Sequence, residues 1–434
     1  MKAQWQKVRY GYGPVLGLII CLIPLVLWLP RQPIDSYFSE PSIIFATLAK
    51  ICSLTGIAMF AWALILSARL RFLERAHNGL DKVYRYHHIF GGLAFILIML
   101  HPVFLTLKFE AIASGLSAEL WWSGNFSLVL GRLALAVMVF ALIFAYFIKL
   151  KHLAWVRVHR ILGLVFIIGS WHALAVRGQL DVNPPLFSYM LTLMSLGSLA
   201  YFYHSIFGTL LIKRFRYTVE RVERPARDIT EIILKPKRWP IIFTPGQFAF
   251  VSVRDPHVDT EAHPYSFAGS SHERSVRFVV KALGDHTRKL EDVLPGSEVI
   301  LEGPYGRFSH LNMSKRRQIW VAGGIGITPF LSMAHSLSAR YKVDLYDCNK
   351  TAGEAVYAKE LQALADKNPN FRLIQVCEDE DGFVSAQMIK EASGDLTNAD
   401  ILICGPPQMA DALMGQFEDL GIDPDRLHFE DFRY

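Results

Sequence analysis

Cysteine is nearly absent. The 434 residues hold five, Cys21, Cys52, Cys348, Cys377 and Cys404, with no CxxC pair and no even spacing. That excludes a disulfide framework and a cysteine-held zinc or iron–sulfur site. Acidic residues are scarce in the first half: residues 1–212 carry 17 Lys and Arg against 7 Asp and Glu, a charge of +10. The remainder carries 28 against 32, a charge of −4, so the overall +6 describes neither half. A basic, apolar half joined to a mildly acidic one does not suit nucleic acid, and the basic excess points to a membrane. There is no internal repeat, low-complexity tract, EF-hand loop or GxGxxG string. The apolar run after Lys2, Lys7 and Arg9 ends in Trp28-Leu29-Pro30-Arg31 without a small-x-small cleavage site. It reads as a retained first membrane helix.

What is abundant is apolar surface: 52% of residues are hydrophobic, and the mean hydropathy is +0.26. A bilayer core takes roughly 20 apolar residues per helix. Six spans are expected, at 13–30, 42–67, 88–107, 126–148, 160–176 and 187–212. Basic residues alternate between the loops. One set holds Lys2, Lys7 and Arg9, then Arg69, Arg71, Arg75, Lys82 and Arg85, then Lys149, Lys151, Arg157 and Arg160, then Lys213, Arg214 and Arg216. The opposite loops hold only Arg31, Lys108 and Arg177. The positive-inside rule puts both termini in the cytoplasm. After Phe215 the texture changes to short strand-like runs, Tyr217–Val222, Phe248–Val253, Val276–Val280 and Val299–Leu301, which suggest a small antiparallel barrel. From Gln318 a strand–glycine turn–helix pattern begins, with further runs at Val343–Tyr346, Arg372–Val376 and Ile401–Ile403. That is a parallel α/β sheet.

Polar residues inside a membrane bundle are costly and are functional candidates by default. The third span holds His87, His88 and His101; the fifth holds His159 and His172. His87 and His101 are 14 residues apart and His159 and His172 are 13 apart, about 20 Å along a helix in each case. Two helices, each with a high and a low imidazole, make two stacked bis-histidine sites, which suit b-type haem. Orientation pairs His87 with His159 on the inner side and His101 with His172 on the outer. His88 is the alternative to His87, but 14 residues span nearly four turns and 13 do not, which favours His87. The 13-residue spacing turns the second pair ~140° apart, so a kink near Gly163 or Gly169 is expected. Gly91 and Gly163, each four residues after an inner ligand, offer clearance for a flat porphyrin. His77, His152 and His204 read as interfacial. Phe95 and Phe166 lie near mid-span, either between the haems or in the core. The intramembrane cations Lys50 and Arg132 either meet haem propionates or a small anion, or snorkel to the headgroups.

In the second half, His263-Pro264-Tyr265-Ser266-Phe267 sets an aromatic beside a hydroxyl, able to face a flat ring and bond its edge. Lys281-Ala282-Leu283-Gly284-Asp285-His286-Thr287 offers a glycine turn and donors suited to a pyrophosphate. Gly323-Gly324-Ile325-Gly326-Ile327-Thr328-Pro329 ends a strand and opens a helix, the arrangement that binds phosphate at a helix N-terminus. Cys404-Gly405-Pro406-Pro407 marks a second strand end, where a nicotinamide can lie. The chain ends Phe429-Glu430-Asp431-Phe432-Arg433-Tyr434, where an aromatic can cap a flavin ring.

Two spaced histidine pairs, then HPYS, GDHT, GPYG, GGIGITP, CGP and a C-terminal aromatic, resemble in content and order the NADPH oxidase (NOX) branch of the ferric reductase superfamily, closest to its compact bacterial members. The resemblance implies a membrane all-α six-helix haem bundle over residues 1–212. A cytosolic ferredoxin-reductase-like module follows: an antiparallel β-barrel FAD domain over 213–315 and an α/β parallel-sheet nucleotide domain over 316–434. His87, His159, His101 and His172 would ligate two b-type haems. His263, Pro264, Tyr265, Ser266, Phe267, Lys281, Gly284 and Thr287 would serve FAD. Gly323, Gly324, Gly326, Thr328 and Pro329 would hold the dinucleotide phosphates. Cys404 and Glu430 would flank the nicotinamide, and Phe432 would stack on the flavin. One stretch departs from the pattern. Where similar proteins carry a Ser and an Arg for the 2′-phosphate of NADPH, this chain reads Tyr346-Asp347-Cys348-Asn349-Lys350. Asp347 would repel that phosphate and suit a free ribose, with Lys350 a partial offset, so NADH or dual use is expected. The implied activity moves electrons from NAD(P)H through FAD and two haems to oxygen outside, giving superoxide; the alternative is a ferric chelate as acceptor. The expected setting is a bacterial cytoplasmic membrane with the lipid bilayer as partner. No nucleic acid and no obligatory protein subunit are expected.

Overall fold

A computed structural model describes residues 11–31, 33–150, 152–176 and 183–430. The chain divides into a helical unit up to Ile212 and an α/β unit from Lys213. The helical unit contains α1 (Gly13–Trp28), α2 (Pro41–Ser67), α3 (Arg71–His77), α4 (Leu80–Ile112), α5 (Ser117–Trp122), α6 (Phe126–Phe147), α7 (His152–Ala175), α8 (Pro184–Tyr201) and α9 (Gly208–Leu211). Among the described residues five segments, 41–67, 80–112, 126–145, 154–175 and 184–206, are long and apolar enough to cross a membrane. The first expected span, 13–30, is α1 continued by a 3₁₀ turn at Leu29–Arg31. α1 has 16 residues, about 24 Å at 1.5 Å each, against a core of ~30 Å. Leu, Ile, Val and Phe side chains stay exposed along these helices, among them Ile19, Ile96, Phe140 and Leu199, as lipid-facing surface requires. The last span does not run on as one helix to residue 212; a π-turn at Phe202–Ile206 separates α8 from α9.

In the second unit β1 (Arg214–Ala226), β2 (Ile229–Pro236), β3 (Phe248–Arg254), β4 (His263–Ser266), β5 (Val276–Lys281) and β6 (Glu298–Tyr305) form one sheet, ordered β4-β3-β6-β1-β2-β5. Every pairing in it is antiparallel. The short α10 (Asp285–Lys289) follows β5. Alternating Val, Ile and Phe positions point inward around Tyr217, Phe267 and Phe278, the period-2 burial of a one-faced sheet. Then β7 (Arg317–Gly323), α11 (Ile327–His335), β8 (Lys342–Asn349), α12 (Ala358–Lys367), β9 (Phe371–Cys377), α13 (Glu378–Asp381), α14 (Ala386–Ser393), β10 (Asp400–Cys404), α15 (Pro407–Asp419) and β11 (Leu427–Phe429) complete the chain. Their five strands are parallel in the order β11-β10-β7-β8-β9. The central strands are apolar on both faces, with Ile319 and Val321 packed to one side and Trp320 and Ala322 to the other, as helices covering both faces require. Such a sheet gathers its functional groups at the strands' C-terminal ends.

Candidate functional site

In the helical unit α4 packs against α2. The Nδ1 of His87 lies 2.8 Å from the Ala63 carbonyl and that of His101 lies 2.9 Å from the Ala49 carbonyl. A carbonyl only accepts, so each Nδ1 carries the proton and each Nε2 keeps its lone pair free for a metal. The acceptors are spaced as the histidines are, in the opposite chain direction. Gly56 lies midway between them, where a Cβ would stand 3.0 Å from Ile98 Cγ1. The small residues Ala49, Gly56 and Ala63 thus bring α2 within hydrogen-bonding reach of α4. The His159 ring on α7 lies 5.9 Å from that of His87 at an interplanar angle of 68°. It stacks on Trp155 at 5.0 Å and 9°. Two imidazole–metal bonds of roughly 2 Å each, plus the ring radii, separate facing rings by about 6 Å. One iron therefore fits between this pair. His88 is exposed; His87 is the residue held toward His159.

His172 Nδ1 lies 2.6 Å from the Ser127 carbonyl of α6. Gly131, which sequence reading missed, makes room for it: a Cβ there would be 2.8 Å from His172 Cε1. His101 and His172 lie near one another. α7 runs from His152 to Ala175 with no break in the helix at Gly163 or Gly169. His159 lies against His87 of α4, and His172 reaches α6 through its Nδ1. Gly163 does not clear space for a porphyrin, since a Cβ on it would lie 2.1 Å from the Tyr201 ring. Gly91 does face open space. His77 is not interfacial. It is fully buried, with Nδ1 on the Leu73 carbonyl at 2.8 Å, and Gly13 leaves room for its ring. Phe166 is buried and packs edge-to-face on Phe60 at 5.2 Å. The guanidinium of Arg132 donates to the carbonyls of Leu120, Trp121 and Ser123, so it helps close the turn after α5. Lys50 neighbours Ala49, and its charge acts on His101.

In the second unit β4 places Pro264 opposite Phe250 and Tyr265 opposite Ala249. Burial, then the charge of Asp259, pushes the Tyr265 phenol up, so it stays a neutral donor. The His263 ring lies 3.8 Å from that of His286, whose Nδ1 is 3.0 Å from Asp259. Thr287 Oγ1 accepts from the N–H groups of Leu283 and Gly284 at 3.0 and 2.9 Å, so it shapes the turn that carries Gly284. Phe267 is a core residue rather than a ring-facing one: it is fully buried and stacked on Phe243 at 3.9 Å. Lys281 pairs with Asp228 at 3.3 Å and lines a cavity of about 200 Å³ together with Arg227, Gly324, Ile325, Asp347, Asn349 and Tyr357. It thus belongs to the strand-end cavity. Lys350 is exposed and is not among the residues lining it.

Of the three glycines after β7, Gly324 has φ +53° and open space before it, so a phosphate can approach it. Gly323 and Gly326 instead let backbones meet. A Cβ on Gly326 would lie 2.1 Å from the Cys404 carbonyl, and one on Gly323 would lie 2.8 Å from Pro406. Thr328 bonds the Ile325 carbonyl at 3.0 Å, and Pro329 is buried in the first turn of α11, where proline is tolerated. Cys404 is fully buried; burial, then the charge of Glu430, pushes its thiol up, so it is no nucleophile. A Cβ on Gly306 would stand 3.5 Å from Glu430 Oε1. Glu430 therefore brings GPYG and CGP together. Phe432 lies outside the described residues. Asp347 is buried at the end of β8 and accepts from Asn349 Nδ2 at 2.9 Å. Burial raises its carboxyl to about 6 against the pull of that hydrogen bond.

The barrel and the parallel sheet are joined by an ion network that sequence reading did not reveal. Arg277 of β5 donates to Glu360 of α12 at 2.7 and 2.9 Å and to Glu231 of β2 at 2.9 Å. Tyr357, a wall of the strand-end cavity, donates its hydroxyl to Glu231 at 2.9 Å. His335 lies 2.7 Å from Glu360.

Residues 52–170 match the family described as ferric reductase like transmembrane component, 215–309 an FAD-binding domain and 320–414 an oxidoreductase NAD-binding domain. A flavohemoprotein of Rhodopirellula baltica is 28% identical over half of this chain and 60% of its own length. NADH-cytochrome b5 reductase 1 of Mortierella alpina is 29% identical over 32% of this chain and 51% of its own. This chain therefore spans less than two thirds of either. The crystal structure of a flavohemoglobin from Malassezia yamatoensis with bound FAD and heme aligns over 90% of this chain and 98% of its own, with 14% identity and a TM-score of 0.52; that likeness is one of fold. The matches thus run from a ferric reductase-like transmembrane part to an FAD-binding part and an NAD-binding part, and the apolar helices of the first part are long enough to cross a membrane.

Proposed function

Because this chain belongs, by its three-part architecture, to the NOX/ferric reductase superfamily, we propose that it moves electrons from cytosolic NADH across the bilayer to oxygen, releasing superoxide. The observation that carries the reading is the His87–His159 pair, 5.9 Å apart, with the Nδ1 of His87 committed to a backbone carbonyl. Bound at their sites, FAD would convert a two-electron hydride into single electrons, and two bis-imidazole haems would carry these across without an open iron position. The chain's own residues hold and orient. Tyr265 and Ser266 present an aromatic face and a hydroxyl on the barrel's edge strand. Gly324 admits the dinucleotide phosphate to the start of α11. Cys404 and Glu430 bound the nicotinamide end, and the carbonyls of Ala63, Ala49 and Ser127 fix the ligand tautomers. Purified protein with NADH should give dismutase-sensitive cytochrome c reduction. Undiminished turnover on a ferric chelate without oxygen, and no dismutase-sensitive signal with it, would instead establish the metal acceptor.

Asp347 carries the dinucleotide preference. Its carboxylate accepts from a ribose diol and repels a 2′-phosphate. Asp347→Ser should lower the NADH/NADPH ratio of kcat/KM by about tenfold, the size of one charged hydrogen bond. The wild-type ratio should fall as pH drops from 7.5 to 5.5, since a carboxyl that titrates near 6 is neutral below it. A flat ratio over that range would show that Asp347 does not face the ribose.

A further inference from the structure

We propose that the loop after β2, residues 237–242, docks the α/β unit onto the anionic headgroup layer of the bilayer that the chain itself spans. The loop reads Lys237-Arg238-Trp239-Pro240-Ile241-Ile242. Ile241 is buried in the barrel core, and its N–H donates to the hydroxyl of the fully buried Tyr217 at 2.8 Å. Phe243 is buried beside it. These anchors fix the backbone while leaving Trp239 69% and Ile242 85% exposed. A lone exposed apolar side chain needs no explanation. Here two large ones lie within four residues, held outward by a pinned loop.

Cations surround them. Lys235, Lys237 and Arg238 are exposed on β2 and the loop, and Arg214 and Arg216 are exposed on the facing part of β1. Thr218 pairs with Lys235, and the Lys237 N–H donates to the Arg216 carbonyl at 2.9 Å. The Arg238 guanidinium lies 5.9 Å from the Trp239 ring centroid. Two carboxylates answer them in part: Glu298 accepts from Lys237 and Arg254 at 3.1 and 3.2 Å, and Glu302 from Arg214 at 3.4 Å. With Lys213 included, a cation excess remains. Tryptophan beside Lys and Arg is the composition of a membrane–water interface.

Chain continuity selects the bilayer as the partner. The helical unit ends at Ile212, and Arg216 follows four residues later, at most about 14 Å of extended chain. The loop therefore sits at the end of the β1–β2 pair tethered to the final membrane segment. The opposite end, Ala226–Ile229, is ten residues further along β1, about 33 Å. The positive charge selects anionic over zwitterionic lipid: each cation near such a surface contributes roughly fivefold in binding, and salt screens the effect.

The test uses the full chain with its cofactors in nanodiscs of phosphatidylcholine alone or mixed with phosphatidylglycerol. Amide exchange across 235–243 should be slower in the mixed discs, by roughly fivefold per engaged cation, and should recover at high salt. Lys237→Gln with Arg238→Gln should weaken that lipid dependence by up to about 25-fold while NADH reduction of the flavin stays at the wild-type rate. Trp239→Ala with Ile242→Ser should speed exchange in both lipids. Should this pair disturb the barrel, the charge variant, which keeps Ile241 and the Tyr217 anchor, decides alone. Equal exchange in detergent and both lipids overturns the proposal. So does protection that ignores lipid charge and salt, which would mean a protein surface covers the loop.

Discussion

His101→Ala should remove about half of the b-type haem absorbance, since it empties one of two bis-histidine pairs. The flavin should still be reduced by NADH at an unchanged rate, because nothing in the α/β unit is altered, whereas superoxide formation should fall to background. His101 is held by the Ala49 carbonyl at 2.9 Å, so the ring is positioned before any metal arrives, and its loss leaves His172 without an opposing imidazole. Haem content by pyridine haemochrome, flavin reduction by stopped flow and acceptor reduction in the steady state separate the three effects. His88→Ala provides the contrast. Its ring is exposed outside the pair, and both haems should remain. Retention of both haems in His101→Ala, or loss of one in His88→Ala, would falsify the ligand assignment.

Histidine placement was legible because a membrane penalises polar groups, so each imidazole in a span stands out against an apolar background. Spacing then favoured His87 over His88, and His87 is the residue whose ring lies 5.9 Å from His159. What spacing could not show was the neighbouring helix. Gly131 and the carbonyls of Ala49, Ala63 and Ser127 enter the site through tertiary packing, and no pattern along α4 or α7 announces them. The same gap explains Gly163 and Arg132, whose partners, the Tyr201 ring and the carbonyls of the turn after α5, come from elements that sequence spacing does not connect to them. In the second unit the glycine turn after β7 was visible as a string, but its glycines divide between phosphate access at Gly324 and backbone crossing at Gly323 and Gly326. Only the register of β7 against β10 reveals that division. Phe267 looked like a ring-facing residue because it follows Tyr265 and Ser266. It lies just past the end of β4 and is packed into the barrel core against Phe243 and Phe278.

The network around Arg277 was the least legible feature, since its members lie between 231 and 360 and belong to four different elements and the turn before α12. It also carries the largest expected effect on stability. Arg277 is mostly buried, as are Glu231 and Glu360, with side-chain exposures of 18%, 9% and 29%. Removing the guanidinium leaves two carboxylates in a poorly solvated seam, a loss of about 3–5 kcal/mol for a broken buried pair. For a unit of this size that lowers the unfolding midpoint on the order of 10 °C. Arg277→Ala should therefore release FAD on heating well below the wild type, as followed by flavin fluorescence. Burial pushes the Glu360 carboxyl up, but the hydrogen bonds from His335 and Arg277 and the charge of Arg277 bring it down to about 2. A depressed carboxyl stabilises the fold above its unfolded value near 4.5 and loses that contribution as pH falls toward 2. The penalty of Arg277→Ala should thus be full at pH 7 and shrink below pH 4. Arg277→Met combined with Glu231→Leu and Glu360→Leu should restore most of the lost stability, because an apolar seam needs no counter-charge. It should not restore function. Without Glu231 the Tyr357 hydroxyl loses its acceptor, and Tyr357 walls the cavity that Asp347 and Gly324 also line. The KM for NADH should stay raised in the triple variant while its midpoint recovers, which would separate the network's role in placing the dinucleotide from its role in holding the fold. A triple variant with wild-type KM would assign the network to stability alone.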